Sequence, residues 1–256
     1  MTPIIQTEGL TKEYGSVVAV DSVDMSIDKG EVHALVGDNG AGKSTLIRML
    51  SGVTNPTSGS IYVNDRIVDF SNHNEARNEG IETVYQELAL AEKQTVSANV
   101  FLGREPYREG VISSLLKLTD HQYMNTESRR YLERMDMDMD PTARANEFSG
   151  GQQQAIAIAR ALQTDPEILI MDEPTSALSI EGSRKVREVI QSLRNDGLTI
   201  LLISHNIMEV LEVADRISVL FNGELRATQS AEEMNQEEVV SVMVGAEPSQ
   251  IQSAPN

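Results

Sequence analysis

Residues 37–45 have the sequence Gly-Asp-Asn-Gly-Ala-Gly-Lys-Ser-Thr. They match the phosphate-loop pattern G-x-x-x-x-G-K-[ST], whose fixed positions here are Gly37, Gly42, Lys43 and Ser44. In such a loop the glycines let backbone N–H groups converge on phosphate oxygens, the lysine reaches the β- and γ-phosphates, and the hydroxyl is a ligand of Mg²⁺. The pattern predicts a site for nucleotide phosphates, although a plain glycine turn with an exposed lysine has the same letters.

The segments on either side predict how this loop is held. Val32–Val36 is a short, mostly apolar run typical of a buried strand, and residues 46–50 predict a helix that ends near Gly52. The N-terminus of that helix adds partial positive charge beside the loop. Strand, loop and helix in this order are the context in which the pattern forms a phosphate site.

Ionisable and polar residues follow three further apolar runs. Asp172 and Glu173 end the run from Ile168, His205 follows the run 198–204, and Gln86 follows the run 81–85. Continuous apolar runs are typical of parallel strands buried on both faces, and ligands bind at the carboxyl ends of such strands. We therefore expect these side chains at one edge of a sheet, although a lone histidine at a strand end is usually structural.

Two motifs allow both a structural and a functional interpretation. Residues 147–152, Glu-Phe-Ser-Gly-Gly-Gln, precede a helix predicted over 153–162, with Ser149 as its N-cap. The two glycines beside this helix N-terminus form either a second anion site or a flexible entry to a capped helix. Tyr14, in a turn predicted over 12–15, either stacks on an adenine ring or packs against the protein.

Composition bounds the class of protein. The chain has 256 residues, enough for one large α/β domain or two small ones, and it has no cysteine, which excludes disulfides and thiolate zinc sites. Its 21 Lys and Arg against 39 Asp and Glu leave a formal charge of −18, which disfavours nucleic-acid binding. We expect neither a signal peptide nor a membrane-spanning run, so any action at a membrane would depend on another chain.

The remaining elements are predicted from periodicity and turn residues. Residues 4–27 predict two or three antiparallel strands, 58–65 a strand and turn, and 216–224 an edge hairpin turning at Asn222-Gly223. Helices are predicted from Glu75 to 78, where Gly80 ends the helix, and over 96–102, 111–118, 128–135 and 180–194. The segment 96–163 is mostly helical, and the polar tail from residue 246 is expected to be disordered.

One acidic segment imitates a calcium loop. Asp136, Asp138 and Asp140 alternate, and Glu147 follows at the spacing of a bidentate calcium ligand. The glycine that the sixth position requires is Pro141, whose ring fixes φ where the chain must turn sharply. An exposed segment is therefore the better interpretation.

Taken in order, the motifs resemble those of the ATP-binding-cassette (ABC) ATPases, over about residues 4–245. The resemblance is specific because residues 148–152 are similar to the signature motif of that family. It implies an α/β ABC nucleotide-binding domain with a RecA-like parallel-sheet core, an N-terminal antiparallel β subdomain and a helical signature subdomain. A single domain over 1–245 is implied, with its core at about 1–87 and 164–245, its helical subdomain at about 88–163, and a tail at 246–256.

The resemblance also implies a role for each motif, with ATP and Mg²⁺ bound. Tyr14 would stack on adenine, Glu173 would be the general base, His205 would lie at the γ-phosphate, and Gln86 would lie near Mg²⁺ and the transporter contact. The implied phosphate-binding residues are Gly37, Asp38, Asn39, Gly40, Ala41, Gly42, Lys43, Ser44 and Thr45, and the implied Mg²⁺ ligands are Ser44, Gln86 and Asp172. The implied signature residues, which act on the ATP of a second copy in a head-to-tail homodimer, are Phe148, Ser149, Gly150, Gly151 and Gln152.

Residues 85–90, 98–105 and 243–245 resemble a branch that imports monosaccharides of the ribose, xylose, galactose and fructose type. Many of those proteins fuse two cassettes, whereas this chain resembles one, as the fructose-type members do. Two positions depart from the family pattern: Phe148 replaces the usual leucine, and Ser179 stands where many cassettes have aspartate. The implied function is ATP hydrolysis at the cytoplasmic face of the membrane, driving a separate transmembrane permease supplied by an extracytoplasmic sugar-binding protein.

Two alternatives stay open at this point. One is an ABC ATPase that energises transport of another solute, since cargo is inferred from the branch likeness alone. The other is a non-transport cassette, of the repair or the translation type. The repair type needs a long coiled coil, but residues 44–148 have no sustained heptads. The translation type resembles two tandem cassettes with a basic linker, and the sequence given has neither feature.

Overall fold

The computed structural model describes residues 3–108 and 118–246 of the chain. Described residues within Met1–Thr83, Glu167–Glu173 and Arg194–Asn256 form one compact unit, and those within Val84–Pro166 and Pro174–Leu193 form a second. The second unit includes residues 174–193, which lie outside the helical subdomain at about 88–163 predicted from the sequence. Within the described residues, no helix is both long enough and apolar enough to cross a membrane.

A four-stranded antiparallel sheet belongs to the first unit. Its strands are β1 (Pro3–Tyr14), β2 (Val17–Asp28), β4 (Ser58–Val63) and β5 (Arg66–Val68), in the order β2-β1-β4-β5. In β2 the buried residues Val23, Met25 and Ile27 recur with the period of two that places one face of a strand against a core. The buried residues of β1 do not keep this period, and its pairing with β2 shifts register at several points. The antiparallel strands predicted for residues 4–27 and the hairpin predicted from residue 58 are confirmed.

The second sheet has six strands, and its centre is parallel. The strands are β3 (Val32–Val36), β6 (Ile81–Val84), β7 (Ile168–Asp172), β8 (Thr199–Ile203), β9 (Arg216–Phe221) and β10 (Glu224–Ser230), in the order β10-β9-β3-β8-β7-β6. β3 pairs in parallel with both β8 and β9, and β7 pairs in parallel with β8. Every residue of β3 and β8 is buried, as expected for strands covered on both faces.

Eight α-helices accompany these sheets in the described residues. Their bounds are α1 (Lys43–Leu50), α2 (His73–Asn78), α3 (Val96–Val100), α4 (His121–Glu133), α5 (Gly150–Leu162), α6 (Ile180–Asn195), α7 (Ile207–Val213) and α8 (Gln236–Met243). The phosphate-loop helix and the helix predicted over 180–194 are confirmed. The turn predicted at Asn222-Gly223 is also confirmed, between β9 and β10.

Side-chain caps explain two boundaries that were predicted wrongly. α2 begins at His73 rather than at Glu75, because the side chain of Asn72 accepts hydrogen bonds from the N–H groups of residues 74 and 75. α4 begins at His121 rather than near residue 128, because Asp120 accepts a hydrogen bond from the N–H of Tyr123.

Other boundaries shift by a few residues. α3 ends at Val100 rather than at residue 102, and β6 ends at Val84. Tyr14 is the last residue of β1 rather than part of a turn, because it still pairs with Val17 and leaves only two residues to turn the chain. The helix predicted over 111–118 and the tail predicted from 246 lie almost wholly outside the described residues.

A buried carboxylate joins β6 to α2. Glu82 is 3% exposed and accepts two hydrogen bonds from Arg77, at 2.7 Å from Nε and 3.1 Å from Nη2. His73 approaches the same carboxylate at 3.5 Å, and its other ring nitrogen lies 2.8 Å from the carbonyl oxygen of Ser51, just after α1. Burial alone would raise the pKa of Glu82, but the hydrogen bonds from His73 and Arg77 and the charge of Arg77 lower it to about 2.

We expect the stability of the Glu82→Gln variant to depend less on pH in acid than that of the wild type, because the contribution of this carboxylate is removed. The folded pKa is depressed, so this carboxylate stabilises the fold fully above its ordinary pKa of 4.5 and loses that contribution as pH falls toward 2. Between about pH 5 and about pH 3 the wild-type free energy of unfolding should fall by about 1–2 kcal/mol more than that of the variant.

Urea unfolding followed by circular dichroism at each pH measures this difference. Glu233→Gln, which alters an exposed carboxylate, is the matched control and should keep the wild-type slope. Parallel pH profiles for wild type and Glu82→Gln would contradict the assignment.

Candidate active site

The phosphate loop connects β3 to α1. Gly42 is the N-cap of α1 and has φ 107°, a left-handed conformation that glycine adopts without steric cost. No side chain caps α1, and its first turn has no acidic residue. The N-terminal N–H groups of α1 thus have no anionic side chain of their own, which suits the binding of a phosphate.

Two glycines allow neighbouring strands to approach this loop closely. A Cβ atom on Gly37 would collide with the carbonyl oxygen of Leu220, and one on Gly42 would collide with the carbonyl oxygen of Ala19. The N–H of Gly223 also donates to the carbonyl of Ala41 at 2.9 Å. The loop is therefore held on both sides by backbone, and side chains at positions 37 and 42 are excluded.

Lys43 lies inside the loop rather than in solvent. Its residue is 9% exposed, and Nζ donates to the carbonyl oxygens of Gly37 at 2.7 Å and Asp38 at 3.1 Å. Burial lowers the pKa of Lys43, and the negative charges of Glu173, Asp38 and Asp172 oppose that shift. The amine of Lys43 therefore lies within the loop, which excludes the exposed lysine of a plain glycine turn.

Asp172 and Glu173 lie where β7 ends. Burial raises the pKa of Asp172, and the adjacent charge of Glu173 raises it further, whereas Lys43 opposes both effects. Glu173 has φ 51°, and its N–H donates to the carbonyl of Ile203 in β8 at 2.9 Å. A non-glycine residue in this conformation is strained, and such strain is typical of functional positions.

His205 follows β8 and contacts Glu173 directly. Nδ1 of the imidazole lies 2.7 Å from Oε2 of the carboxylate, while the His205 side chain is 63% exposed and that of Glu173 only 15%. The contact orients the carboxylate of Glu173. Of the residues expected at this edge, Glu173 and His205 are in contact and Asp172 directly precedes Glu173. These three residues belong to the first unit, as does Lys43, whereas Gln86 belongs to the second.

The donor atoms suit Mg²⁺ bound together with a nucleotide. Ser44 is exposed at the start of α1, and Asp172 supplies a half-buried carboxylate, so both offer the oxygen ligands that Mg²⁺ prefers. The described part of the chain has no cluster of three or more His, Cys, Asp or Glu residues fit to hold a metal. Mg²⁺ held by one or two protein ligands, phosphate oxygens and water needs no such cluster.

Gln86 and the predicted residues 148–152 lie in the second unit. Gln86 is exposed, and its Nε2 donates to Oγ of Ser176 at 3.4 Å. Gln152 accepts hydrogen bonds from the N–H and the hydroxyl of Ser149, both at 3.0 Å. α5 begins at Gly150 rather than at residue 153, so the two glycines form its first turn instead of a flexible entry.

Helix packing explains why the second residue of this turn, Gly151, is a glycine. A Cβ on Gly151 would lie 2.9 Å from the backbone of Gly182 in α6, so α5 and α6 meet backbone to backbone. Ser179, which departs from the family pattern, accepts a hydrogen bond from the N–H of Gly182 at 3.2 Å and caps α6. Serine thus fills the capping role that aspartate also can.

Sequence reasoning missed Arg160, which joins α5 to the segment after Gln86. Its Nε donates to the carbonyl of Asn99 at 2.9 Å, and its Nη1 lies 3.3 Å from the carbonyl of Leu88 and 3.4 Å from that of Ala89. Burial lowers the pKa of Arg160. An arginine on the apolar side of an alanine-rich helix was the signal available in the sequence.

The fold and the site define a phosphate-loop nucleotide-binding cassette. The family model described as ABC transporter matches residues 20–176, and the chain belongs to that family. Its fold is also that of the ADP conformation of MJ1267, an ATP-binding cassette of an ABC transporter. That crystal structure aligns over all of both chains with a TM-score of 0.81 and 27% sequence identity.

Curated relatives of two lengths resemble the chain. A ribose import ATP-binding protein of Rubrobacter xylanophilus is 41% identical over 96% of this chain, which spans only 48% of that relative. A xylose/arabinose import ATP-binding protein of Sulfolobus acidocaldarius is 41% identical over 95% of this chain and 94% of its own length. A fructose import ATP-binding protein of Rhizobium meliloti is 40% identical over 95% of each. The predicted resemblance to the monosaccharide branch is confirmed.

We expect Gly42→Ala to disrupt the loop far more than Gly40→Ala does. Both glycines have positive φ, so both substitutions introduce similar backbone strain, but a Cβ at position 40 meets nothing within 4 Å. Collision with Ala19 should cost Gly42→Ala about 1–3 kcal/mol beyond that shared strain, because overpacking forces backbone to move. Chemical denaturation measures the stability, and ATP titration should show loss of binding for Gly42→Ala alone. Equal effects of the two variants would contradict the close approach.

Proposed function

We propose that this chain binds ATP with Mg²⁺, hydrolyses it to ADP and phosphate, and thereby energises import of a monosaccharide through a separate permease. The observation that carries the ATPase part is the contact of His205 with Glu173 beside the charge of Lys43. Phosphoryl transfer needs positioned charge and an oriented nucleophile more than covalent assistance, and this arrangement offers both.

Phosphate binding is assigned to the backbone of residues 37–45 and to Lys43. Tyr14, 46% exposed at the end of β1, is the proposed platform for adenine. Ser44 and Asp172, both in the first unit, are the proposed residues around Mg²⁺. Mg²⁺ held by these residues would supply positive charge against the charge that develops on the phosphates.

Glu173 is the proposed general base. Its carboxylate orients the attacking water and accepts its proton, and His205 holds that carboxylate in place through the 2.7 Å contact. The raised pKa of Asp172, caused by burial and by Glu173, means that the two neighbouring carboxylates repel each other. A cation between them and the phosphates relieves this repulsion, which favours binding of Mg²⁺ together with ATP.

We further propose a head-to-tail homodimer. In it, residues 148–152 of one copy close over the phosphate loop of the other, so that two sites form. The first turn of α5 has no acidic residue, so its N–H groups have no anionic side chain of their own and can donate to phosphate. The symmetric arrangement, in which each copy offers the same two surfaces, is also common among soluble oligomers.

The transport part rests on the relatives rather than on the site. Their names assign sugar import, and two of them match this chain over nearly their whole length. We therefore propose a peripheral subunit at the cytoplasmic face of the membrane, with permease subunits and an extracytoplasmic sugar-binding protein as partners. The relatives carry different sugars in their names, so a monosaccharide is the substrate class.

We expect Glu173→Gln to abolish most hydrolysis while ATP binding persists. Loss of the base should lower kcat by about 10²–10⁴-fold, because the amide cannot accept the proton, whereas the phosphate loop is untouched. Phosphate release measures turnover, and calorimetric titration measures the Kd of ATP. Glu233→Gln is the control carboxylate and should keep wild-type turnover. Hydrolysis by Glu173→Gln at the wild-type rate would show that another group is the base.

The transport assignment is tested by recovering partners. Tagged Glu173→Gln protein, trapped with ATP, is recovered from native membranes and its partners are identified by mass spectrometry. A multi-span permease together with an exported solute-binding protein is expected, and that binding protein should bind a monosaccharide in a sugar panel. Binding of another solute class would overturn the sugar assignment alone, and ribosomes or a soluble partner would overturn transport but leave the ATPase assignment intact.

A further inference from the structure

A lysine lies against the aromatic ring at the end of β1. The Nζ atom of Lys12 is 5.2 Å from the centroid of the Tyr14 ring, within the range of a cation–π interaction. The same Nζ donates a hydrogen bond to the carbonyl oxygen of Asn55 at 2.6 Å. The ammonium group is therefore held between a fixed acceptor and the face of the ring.

The acceptor belongs to a segment that is tied to the phosphate-loop helix. The N–H of Thr54 donates to the carbonyl of Arg48 in α1 at 3.0 Å. Thr57 donates its N–H to the carbonyl of Thr11 at 2.8 Å and accepts from the N–H of Glu13 at 3.0 Å. The end of β1 is thus attached, through residues 54–57, to α1, the helix that follows the phosphate loop.

We propose that Lys12 is a positioning residue for the nucleotide base. Its ammonium covers one face of the Tyr14 ring, fixes the ring relative to α1, and leaves the opposite face for the base. The proposal rests on the proposed ATP binding and assigns to it a residue that does not touch ATP.

Charge gives Lys12 a second effect on stacking. The faces of an aromatic ring carry partial negative charge, which disfavours a perfect face-to-face sandwich of two rings. An ammonium on one face attracts that charge. The opposite face of Tyr14 then repels a stacked purine less, so both the position and the electronic character of the ring favour the base.

Binding of two ligands distinguishes a role of Lys12 in positioning the base from a role in stabilising the fold. ATP carries the base, whereas inorganic tripolyphosphate presents phosphates alone. Lys12→Met removes the charge but keeps the length of the side chain, and Lys12→Arg keeps the charge. Lys29→Met is the control, because it removes an exposed lysine that pairs with Glu167 at 3.2 Å. Calorimetric titration of each variant with each ligand gives the Kd values.

We expect Lys12→Met to weaken ATP binding by about two- to fivefold and to leave tripolyphosphate binding unchanged. Lys12→Arg and Lys29→Met should bind both ligands as the wild type does. In a Tyr14→Ala background, Lys12→Met should cause no further loss, because the ring on which it acts is absent.

Other results overturn the proposal. An equal loss for both ligands would mean that Lys12 only supports residues 54–57, and unchanged or tighter ATP binding by Lys12→Met would mean that the ammonium does not favour the base. Failure of the wild-type chain to bind either ligand would overturn the proposed function itself, a result that the wild-type titration separates from failure of this inference.

Discussion

The close approach of backbone to the phosphate loop is the constraint on which the rest of the site depends. Carbonyl oxygens of Ala19 and Leu220 lie where Cβ atoms of residues 42 and 37 would be, so the loop is held between β2 and β9 without side chains. Because the loop is held by backbone, its N–H groups keep their direction when a ligand binds. A loop that had to order first would lose part of its binding energy to conformational entropy.

The rigidly held loop places positive and negative side chains at the carboxyl edge of the parallel sheet. Lys43 is buried in the loop by carbonyl oxygens, while Asp172 and Glu173 end the strand β7 two positions away from β3 in the sheet. Burial shifts the pKa of Lys43 down and that of Asp172 up, so each group needs opposite charge near it. The proposed nucleotide and its cation would supply negative charge to the lysine and positive charge to the carboxylates, which accounts for both signs of charge in one site.

Most of the fold could be predicted from the sequence, because apolar runs and turn residues mark strands and helices locally. That Asp172, Glu173 and His205 share one sheet edge was expected because they end or follow apolar runs typical of parallel strands. Helix starts at His73 and His121 were missed because a capping side chain, rather than hydrophobic periodicity, decides them. Arg160 was missed for a different reason: its place on the apolar side of an alanine-rich helix marks it as unusual, but its partners are backbone carbonyls distant in sequence, which that signal does not identify.

The second unit shows how the remaining motifs depend on one another. Arg160 in α5 holds the carbonyls after Gln86, and Gln86 donates to Ser176, which precedes α6. α6 in turn packs backbone to backbone on the first turn of α5 at Gly151. The first turn of α5, Gln86 and the segment after Glu173 therefore pack together in the second unit, although they lie far apart in the sequence. Because these parts are in contact, the effects of substitutions in two of them are expected to be non-additive.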